Sequence, residues 1–512
     1  MPFSRIFKGT RAEAVRVDWG DVQVLVRFGL GNHPCSAFLA FRFADASNDE
    51  IGRWLSAVTT RVTRADAGTF SADKAEVRCK LARTPIVLNI LLTAQGVDRL
   101  TSGTHAMRAM APAFREGMAP RRNSGDSVAR RSVVLGDTGL NDPQHWRWRD
   151  SDEGEQRIDG ILLLYATSPQ RLAELLSGEI DHLTRHGMRP TGRSETSERL
   201  VLQGKLAKTS PEPFGFKDGI SQPILESDWR ADVKHEALSD LGRRAVEQSV
   251  IRTGEILLGY RNERGAIAGA IGGDLSPLLR NGTYVVLREL HQNVDAFDSF
   301  AREAAKAHFG TDHGDHVTWV KERMVGRRHN GEMLTSTNEA PGIKAKRGSM
   351  PRQGTLDNDA LFHPNDRYGL ACPLGSHIRR ANPRDSLGPD PGTAMRLGKL
   401  RRILRRSRLI AANGHSGMYF MALNADIAGQ FEHIQQNWIN NERFMGLAEE
   451  VDPLSHYRPR GKTQMTIQHR PFNIRLKDIP PFVSVHGGGY FFLPGLAALA
   501  TIAANLSGRG AR

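Results

Sequence analysis

The chain has 512 residues, 39% of them hydrophobic and 25% charged, which is globular composition in a length that exceeds one ordinary core and implies two domains or one pseudo-duplicated unit. A formal net charge of +14 favours anionic partners without choosing among nucleic acid, membrane surface and acidic small molecule. The three cysteines, Cys35, Cys79 and Cys372, form no CxxC pair, which argues against a disulfide framework or structural zinc and suits a reducing cytoplasm.

The opening stretch MPFSRIFKGTRAEAVRVDW has no apolar core and no twin-arginine pattern, so no signal peptide is expected. DVQVLVRFG (Asp21–Gly29) and SAFLAFRFA (Ser36–Ala44) read as strands, and NDEIGRWLSAVTTRVT (Asn48–Thr63) as a helix capped by Asn48 or Asp49. Ile86–Leu92 reads as a strand followed by a helix from about Ala94, and Ile158–Ala166 as a buried strand. SPQRLAELLSGEIDHLTRHG opens with a serine cap and a first-turn proline, a helix start. The second half repeats the theme. Strands are expected at Gly254–Tyr260, Thr283–Glu289, Gly417–Ala425 and Val483–Gly495, with helices at Val294–Phe309 and over DIAGQFEHIQQNW. The apolar run LPGLAALATIAANL is shorter than the roughly 20 residues that span a bilayer and reads as a buried helix. Long polar loops are expected over 327–366 and 383–397. The pattern predicts an α+β fold of two halves, each an antiparallel sheet with helices on one face, in a soluble, cytoplasmic protein.

Three stretches bear chemistry. In GFKDGISQP (Gly215–Pro223) Asp218 is bracketed by Gly215 and Gly219. Asp-Gly is foremost a turn signal, but two glycines also let a backbone approach a flat ligand, with Asp218 aimed at it. In CPLGSHIRRANPR (Cys372–Arg384) His377 follows a flexible Gly-Ser pair and precedes three arginines. Against the reading of an ordinary loop histidine stands that of an axial ligand to haem iron, with arginines nearby for the propionates; Cys372 is the rival ligand, ranked below His377. KLRRILRRSR (Lys399–Arg408) packs five arginines and a lysine into ten residues.

Together these stretches resemble, in order, the motifs of dye-decolorizing peroxidases. GFKDG matches that family's GxxDG, CPLGSHIRRANPR its proximal-histidine segment, RILRRS (Arg402–Ser407) its distal-arginine segment and GGYFFLPGL (Gly488–Leu496) its closing strand. LGDTG (Leu135–Gly139), LGYRNE (Leu258–Glu263) and NGTYVVLREL (Asn281–Leu290) are also similar, so the likeness runs over nearly the whole chain and points to the larger, intracellular members.

The resemblance implies a haem b peroxidase of two ferredoxin-like domains of the dimeric α+β barrel type, residues 18–210 and 211–512, with haem in the second. It implies His377 on the iron, Asp218 as the acid–base residue for hydrogen peroxide, and Arg405 as the fixed cation that stabilises charge during O–O cleavage. Arg384 is expected at a propionate, and Met418 and Phe420 in the distal lining. There the common Gly-Leu-Leu-Phe pattern reads Gly417-Met418-Tyr419-Phe420, which places an oxidisable thioether in the pocket. Ser407 is followed by Arg408-Leu409-Ile410 rather than the frequent Gly-x-Pro-Tyr-Gly. A carboxylate should orient the proximal imidazole; Asp452 is the candidate and Glu432 its rival. The other arginines of Lys399–Arg408 are expected to form a solvated, propionate-facing or structural cationic stretch. The partners implied are hydrogen peroxide and a bulky phenolic or dye-like reductant, with Tyr165, Trp229 and Trp438 as possible electron relays, each also readable as core. The alternatives are a haem carrier on the same fold, which would need His377 but neither Asp218 nor Arg405, and a basic nucleic-acid binder using Lys399–Arg408. The basic run has no aromatic residues for stacking, which disfavours nucleic acid.

Overall fold

The computed structural model describes residues 16–69, 73–102, 105–119, 127–191, 200–206, 211–229, 248–334, 361–411, 414–456 and 463–508. Eight strands organise it: β1 (Cys35–Arg42), β2 (Ile86–Leu92), β3 (Gly160–Ala166), β4 (Val201–Lys205), β5 (Thr283–Gln292), β6 (Arg408–Ile410), β7 (Gly417–Asn424) and β8 (Val483–Leu493). Pairing runs β4–β1–β3–β2–β8–β5–β7–β6 and returns from β6 to β4, antiparallel throughout. The sheet is therefore a closed barrel, and closure spares these eight strands an open edge. Each half of the chain contributes four consecutive neighbours. The halves meet at two thin seams, Leu92 opposite Phe492 and Lys205–Gly204 opposite Leu409–Ile410.

Successive side chains on each strand point to opposite faces, and here both faces are buried. One set, including Phe38, Val87, Ile161, Val285, Tyr419 and Phe491, forms the barrel interior. Phe38 meets Tyr165 on the adjacent strand and Tyr419 across the barrel, both ring centroids 5.9 Å away. The other set, including Leu39, Leu88, Leu164, Val286 and Phe492, packs against helices. Those helices include α1 (Asn48–Arg61), α2 (Pro169–Arg185) and α6 (Leu496–Leu506), with α6 lying on α1, while α3 (Val294–Phe309), α4 (Gly314–Val325) and α5 (His377–Ala381) contribute to a separate apolar cluster. None of the described helices is long and apolar enough to cross a membrane.

The expected strand at Asp21–Gly29 is instead a helical turn, Val24–Arg27. All four of its side chains are buried, so its sequence shows no alternation to distinguish the two states. Its entry is fixed by Gln23, whose Nε2 donates to Ile90 O and Pro494 O. Gly254–Tyr260 likewise forms a 3-10 turn over Thr253–Glu255 and bends, not a strand. The cap of α1 is Ser47, one residue before the expected Asn48 or Asp49. DIAGQFEHIQQNW winds mostly as wide π turns, Ala428–Glu432 and Ile434–Ile439. The expected loop 383–397 contains the start of a helix, Pro391–Lys399, while much of the loop over 327–366 lies outside the described residues.

Candidate functional site

The outer face of the second half-sheet forms one wall of a cavity of about 340 Å³. Leu290 of β5, Met418 and Phe420 of β7, and Val485 of β8 supply its apolar surface. His377, Ile378 and Ala381 of α5 also line it, as do Asp218, Arg384, Arg402, Arg405 and Trp438.

Asp218 is held by a tightly bonded turn. Glu212 accepts the backbone N–H groups of Phe214 and Phe216 at 3.1 and 3.0 Å, and Phe216 stacks on His329 with centroids 4.1 Å apart. Gly219 has φ of +78°, a conformation glycine adopts without strain, and it closes the turn directly after the aspartate. Arg405 comes from a two-residue strand, Leu404–Arg405, paired with Leu423 and Ala422 of β7. Its backbone N–H donates to Gln222 Oε1 at 3.1 Å and its Nη1 to Asp218 Oδ1 at 3.1 Å, tying two motifs 187 residues apart. The Arg405 guanidinium holds the Asp218 carboxyl below the usual aspartate range, against the opposing effect of burial. Asp218 is thus an ionised carboxylate with a fixed cation on one oxygen.

His377 opens α5, and its Nδ1 is 2.9 Å from Asp452 Oδ2. Asp452 is fully buried; its Oδ1 accepts the N–H groups of Leu454 and Ser455 at 2.9 and 2.8 Å and the Ser455 hydroxyl at 3.0 Å. Burial alone would raise the Asp452 pKa, but His377 and these donors outweigh it and hold the carboxyl well below its ordinary value. Burial would likewise lower the His377 pKa, and Asp452 outweighs it to raise the value. An imidazole with Nδ1 committed to a carboxylate is oriented and electron-rich, the arrangement suited to ligation through Nε2. Glu432, the rival, lies elsewhere: its Oε1 accepts Tyr490 Oη at 2.9 Å and Arg131 Nε at 2.8 Å. Cys372 is buried, with Sγ 3.2 Å from Ser376 Oγ, and it does not line the cavity.

Two expectations about arginine are corrected. Arg379 and Arg380, which follow His377, are fully buried and do not line the cavity. Arg379 donates to Asp366 Oδ2 and to the carbonyls of Cys372 and Asp366, while Arg380 donates to those of Trp438, Asn441 and Glu450. They clamp the loops that position α5. Nor is Lys399–Arg408 a solvated stretch: none of its ten residues is exposed. Arg406 donates to Leu25 O and Val26 O, and Arg408 to Gly29 O and Leu30 O, stitching the β6 side of the barrel to the chain before β1. Arg384, with φ of +52°, reaches the cavity and donates to Ser221 Oγ at 2.9 Å. Of the candidate relays, Tyr165 is in the barrel interior, Trp438 lines the cavity and Trp229 is half-buried outside it.

Sequence reasoning missed the roles of Ser221 and Gln222. Both follow Asp218 within the same quoted stretch, which was the available signal. Among the described residues no three His, Cys, Asp or Glu side chains converge as a protein-only metal site requires. A single oriented imidazole would suit a metal that arrives within an organic ligand of its own.

No family model matches the chain. It is 27% identical over 390 residues to the multifunctional dye peroxidase of Amycolatopsis sp., covering 71% of this chain and 75% of that protein. It is 27% identical over 305 residues to the dye-decolorizing peroxidase of Exidia glandulosa, covering 57% and 56%. Among solved structures, the DyP-type peroxidase of Anabaena sp. superposes with a TM-score of 0.70 at 19% identity, covering 94% of both chains. The AauDyP–imidazole complex gives 0.71 at 19% identity, covering 96% of this chain and all of the other. The fold is therefore that of these peroxidases, and the curated sequence relatives are named as dye peroxidases and dye-decolorizing peroxidases.

Proposed function

We propose that the protein is a haem b peroxidase that uses hydrogen peroxide to oxidise bulky phenolic or dye-like compounds. The observation that carries this reading is the convergence, on one cavity, of the Asp218–Arg405 pair and the Asp452-buttressed imidazole of His377. His377 would hold the iron through Nε2, Arg384 a propionate, and Met418 and Phe420 the apolar face. When bound, haem supplies the electrons for O–O cleavage and recovers them from the organic reductant. The chain's own work is acid–base and electrostatic. Asp218, ionised beside Arg405, takes a proton from one oxygen of hydrogen peroxide and returns it to the other, which departs as water. Arg405 offers a permanent positive charge where negative charge develops. Asp452 keeps the His377 Nδ1 proton engaged and the ring fixed. We also read the two runs of four strands, 4–1–3–2 in each half of the barrel, as ferredoxin-like units spanning 18–210 and 211–512.

Reconstitution with haem b, followed by absorption spectra before and after hydrogen peroxide, tests the proposal. A histidine-ligated ferric spectrum that converts on adding peroxide is expected, and His377→Ala should lose haem retention. No haem uptake by the wild-type chain would reject the reading; uptake without a response to peroxide would leave the carrier alternative in its place.

A further inference from the structure

Arg402 is the feature of the cavity that this reading does not use. Its backbone is anchored, with the N–H donating to Lys399 O at 3.3 Å and the carbonyl accepting Gln430 Nε2 at 2.5 Å. Its side chain lines the cavity, and the residue is only 8% exposed. Four neighbours in the same run hydrogen-bond through their guanidinium groups within the protein: Arg401 to Gly429 O, Arg405 to Asp218, Arg406 to Leu25 O and Val26 O, and Arg408 to Gly29 O and Leu30 O. The Arg402 guanidinium has no hydrogen bond or ion pair among the described residues. Burial, together with the positive charge of Arg405, lowers its pKa to about 10, so it is still cationic at neutral pH. A guanidinium carries five N–H donors in a planar fork, and leaving them unmatched away from bulk water is costly. What completes them must enter with the cavity's occupant and must be anionic and planar enough for the fork; a carboxylate meets both needs.

We propose that Arg402 is a carboxylate clamp for the cavity's occupant. Resting on the haem reading above, the carboxylate it takes is a propionate of the tetrapyrrole, and Arg402 is a binding residue additional to Arg384. The same chemistry could come from a separate carboxylate ligand beside the ring, and the test separates these sources.

The full chain without haem is titrated with protoporphyrin IX and with its dimethyl ester, which has the same ring but no carboxylates and, like the free acid, no iron. Wild-type protein is expected to bind the free acid tighter by about ten-fold or more per clamped carboxylate. Arg402→Leu should lose about ten-fold of that preference while its affinity for the ester is unchanged, and Arg402→Lys should keep part of it. Arg402→Gln, which retains length and polarity, serves if leucine disturbs folding, as judged by thermal unfolding. Benzoate is titrated in parallel. If Arg402→Leu weakens benzoate binding and leaves the porphyrin preference intact, the clamp stands and its carboxylate is a separate ligand. Full porphyrin preference with unchanged benzoate binding overturns the clamp and leaves the haem reading standing. Failure of the wild-type chain to bind either porphyrin, and haem b added beside them, overturns both; uptake of haem b with no preference for the free acid over the ester in the wild-type chain overturns the clamp alone.

Discussion

Arg405 and Asp218 make a pH prediction whose sign follows from their geometry. In the function proposed above Asp218 acts as a carboxylate base, so activity should fail on the acid side as it takes up a proton. Arg405 holds that pKa below the ordinary aspartate range, and burial pushes the other way. The acid limb for reaction with hydrogen peroxide should therefore lie below the range of a free aspartate. In Arg405→Leu the largest lowering influence is gone, while the Gly219 N–H and His377 still act against burial, so the limb should move to higher pH, and Asp218→Asn should abolish it. Stopped-flow rates of the peroxide-induced spectral change across acidic pH would show this. A limb in Arg405→Leu that stays put, or moves to lower pH, would mean Asp218 is not the base. These residues were legible because each motif is local: a glycine-bracketed aspartate, a histidine after Gly-Ser, an arginine at a fixed place in a short run. Arg402, Arg406 and Arg408 were not, because whether a guanidinium faces solvent, a carbonyl or a cavity depends on chain hundreds of residues away. Arg406 bonds residues 381 and 380 positions earlier.

Elements were read well where the period was strong and poorly where burial was uniform. The strands β1, β2, β3 and β5 and the helix α3 follow their apolar patterns, whereas Val24–Arg27 and Gly254–Tyr260 do not. In the latter, N–H groups serve turns and distant carbonyls, as in Leu258 N–H to Gly282 O and Gly254 N–H to Arg261 O, so an apolar run there cannot form a ladder. The start of α1 shows how a one-residue error arises. Ser47, Asn48 and Asp49 are all capping residues, and only Ser47 has Glu50 three positions on to complete a reciprocal box. Its hydroxyl accepts the Glu50 N–H at 3.3 Å while Glu50 Oε2 accepts the Ser47 N–H at 2.8 Å. Ser47→Ala should cost about 1 kcal/mol of stability, seen as a lower midpoint in urea with an unchanged slope. Because α1 packs on the first half, remote from the cavity, haem affinity should be unaffected. An unchanged midpoint would show that Asn48 or Asp49 takes over the cap.

At the scale of the whole molecule the barrel closes through little backbone pairing. One residue pair joins β2 to β8 and two join β4 to β6, so the ladders at these seams contribute a small share of the cohesion between halves. Beside the packing of α6 on α1, the Arg406 and Arg408 bonds and the pairing of Trp148–Arg149 with β8, the interior joins the halves, with Phe38 from the first meeting Tyr419 from the second at its centre. A two-half architecture was readable from the repeated alternation of strands and helices, but not the closure: periodicity gives a strand's faces and says nothing of which distant strand it pairs with. If interior packing couples the halves, Phe38→Ala should destabilise the protein by about 3–5 kcal/mol, the cost of a cavity where a fully buried ring was removed. The loss should appear in one transition. Calorimetry and the absorbance of haem bound on reconstitution should shift together even though Phe38 itself does not line the cavity. Two resolved transitions, with only the first displaced, would mean that the halves are independent domains held by their seams. The site on the outer face of β5, β7 and β8 would then stand without the barrel behind it.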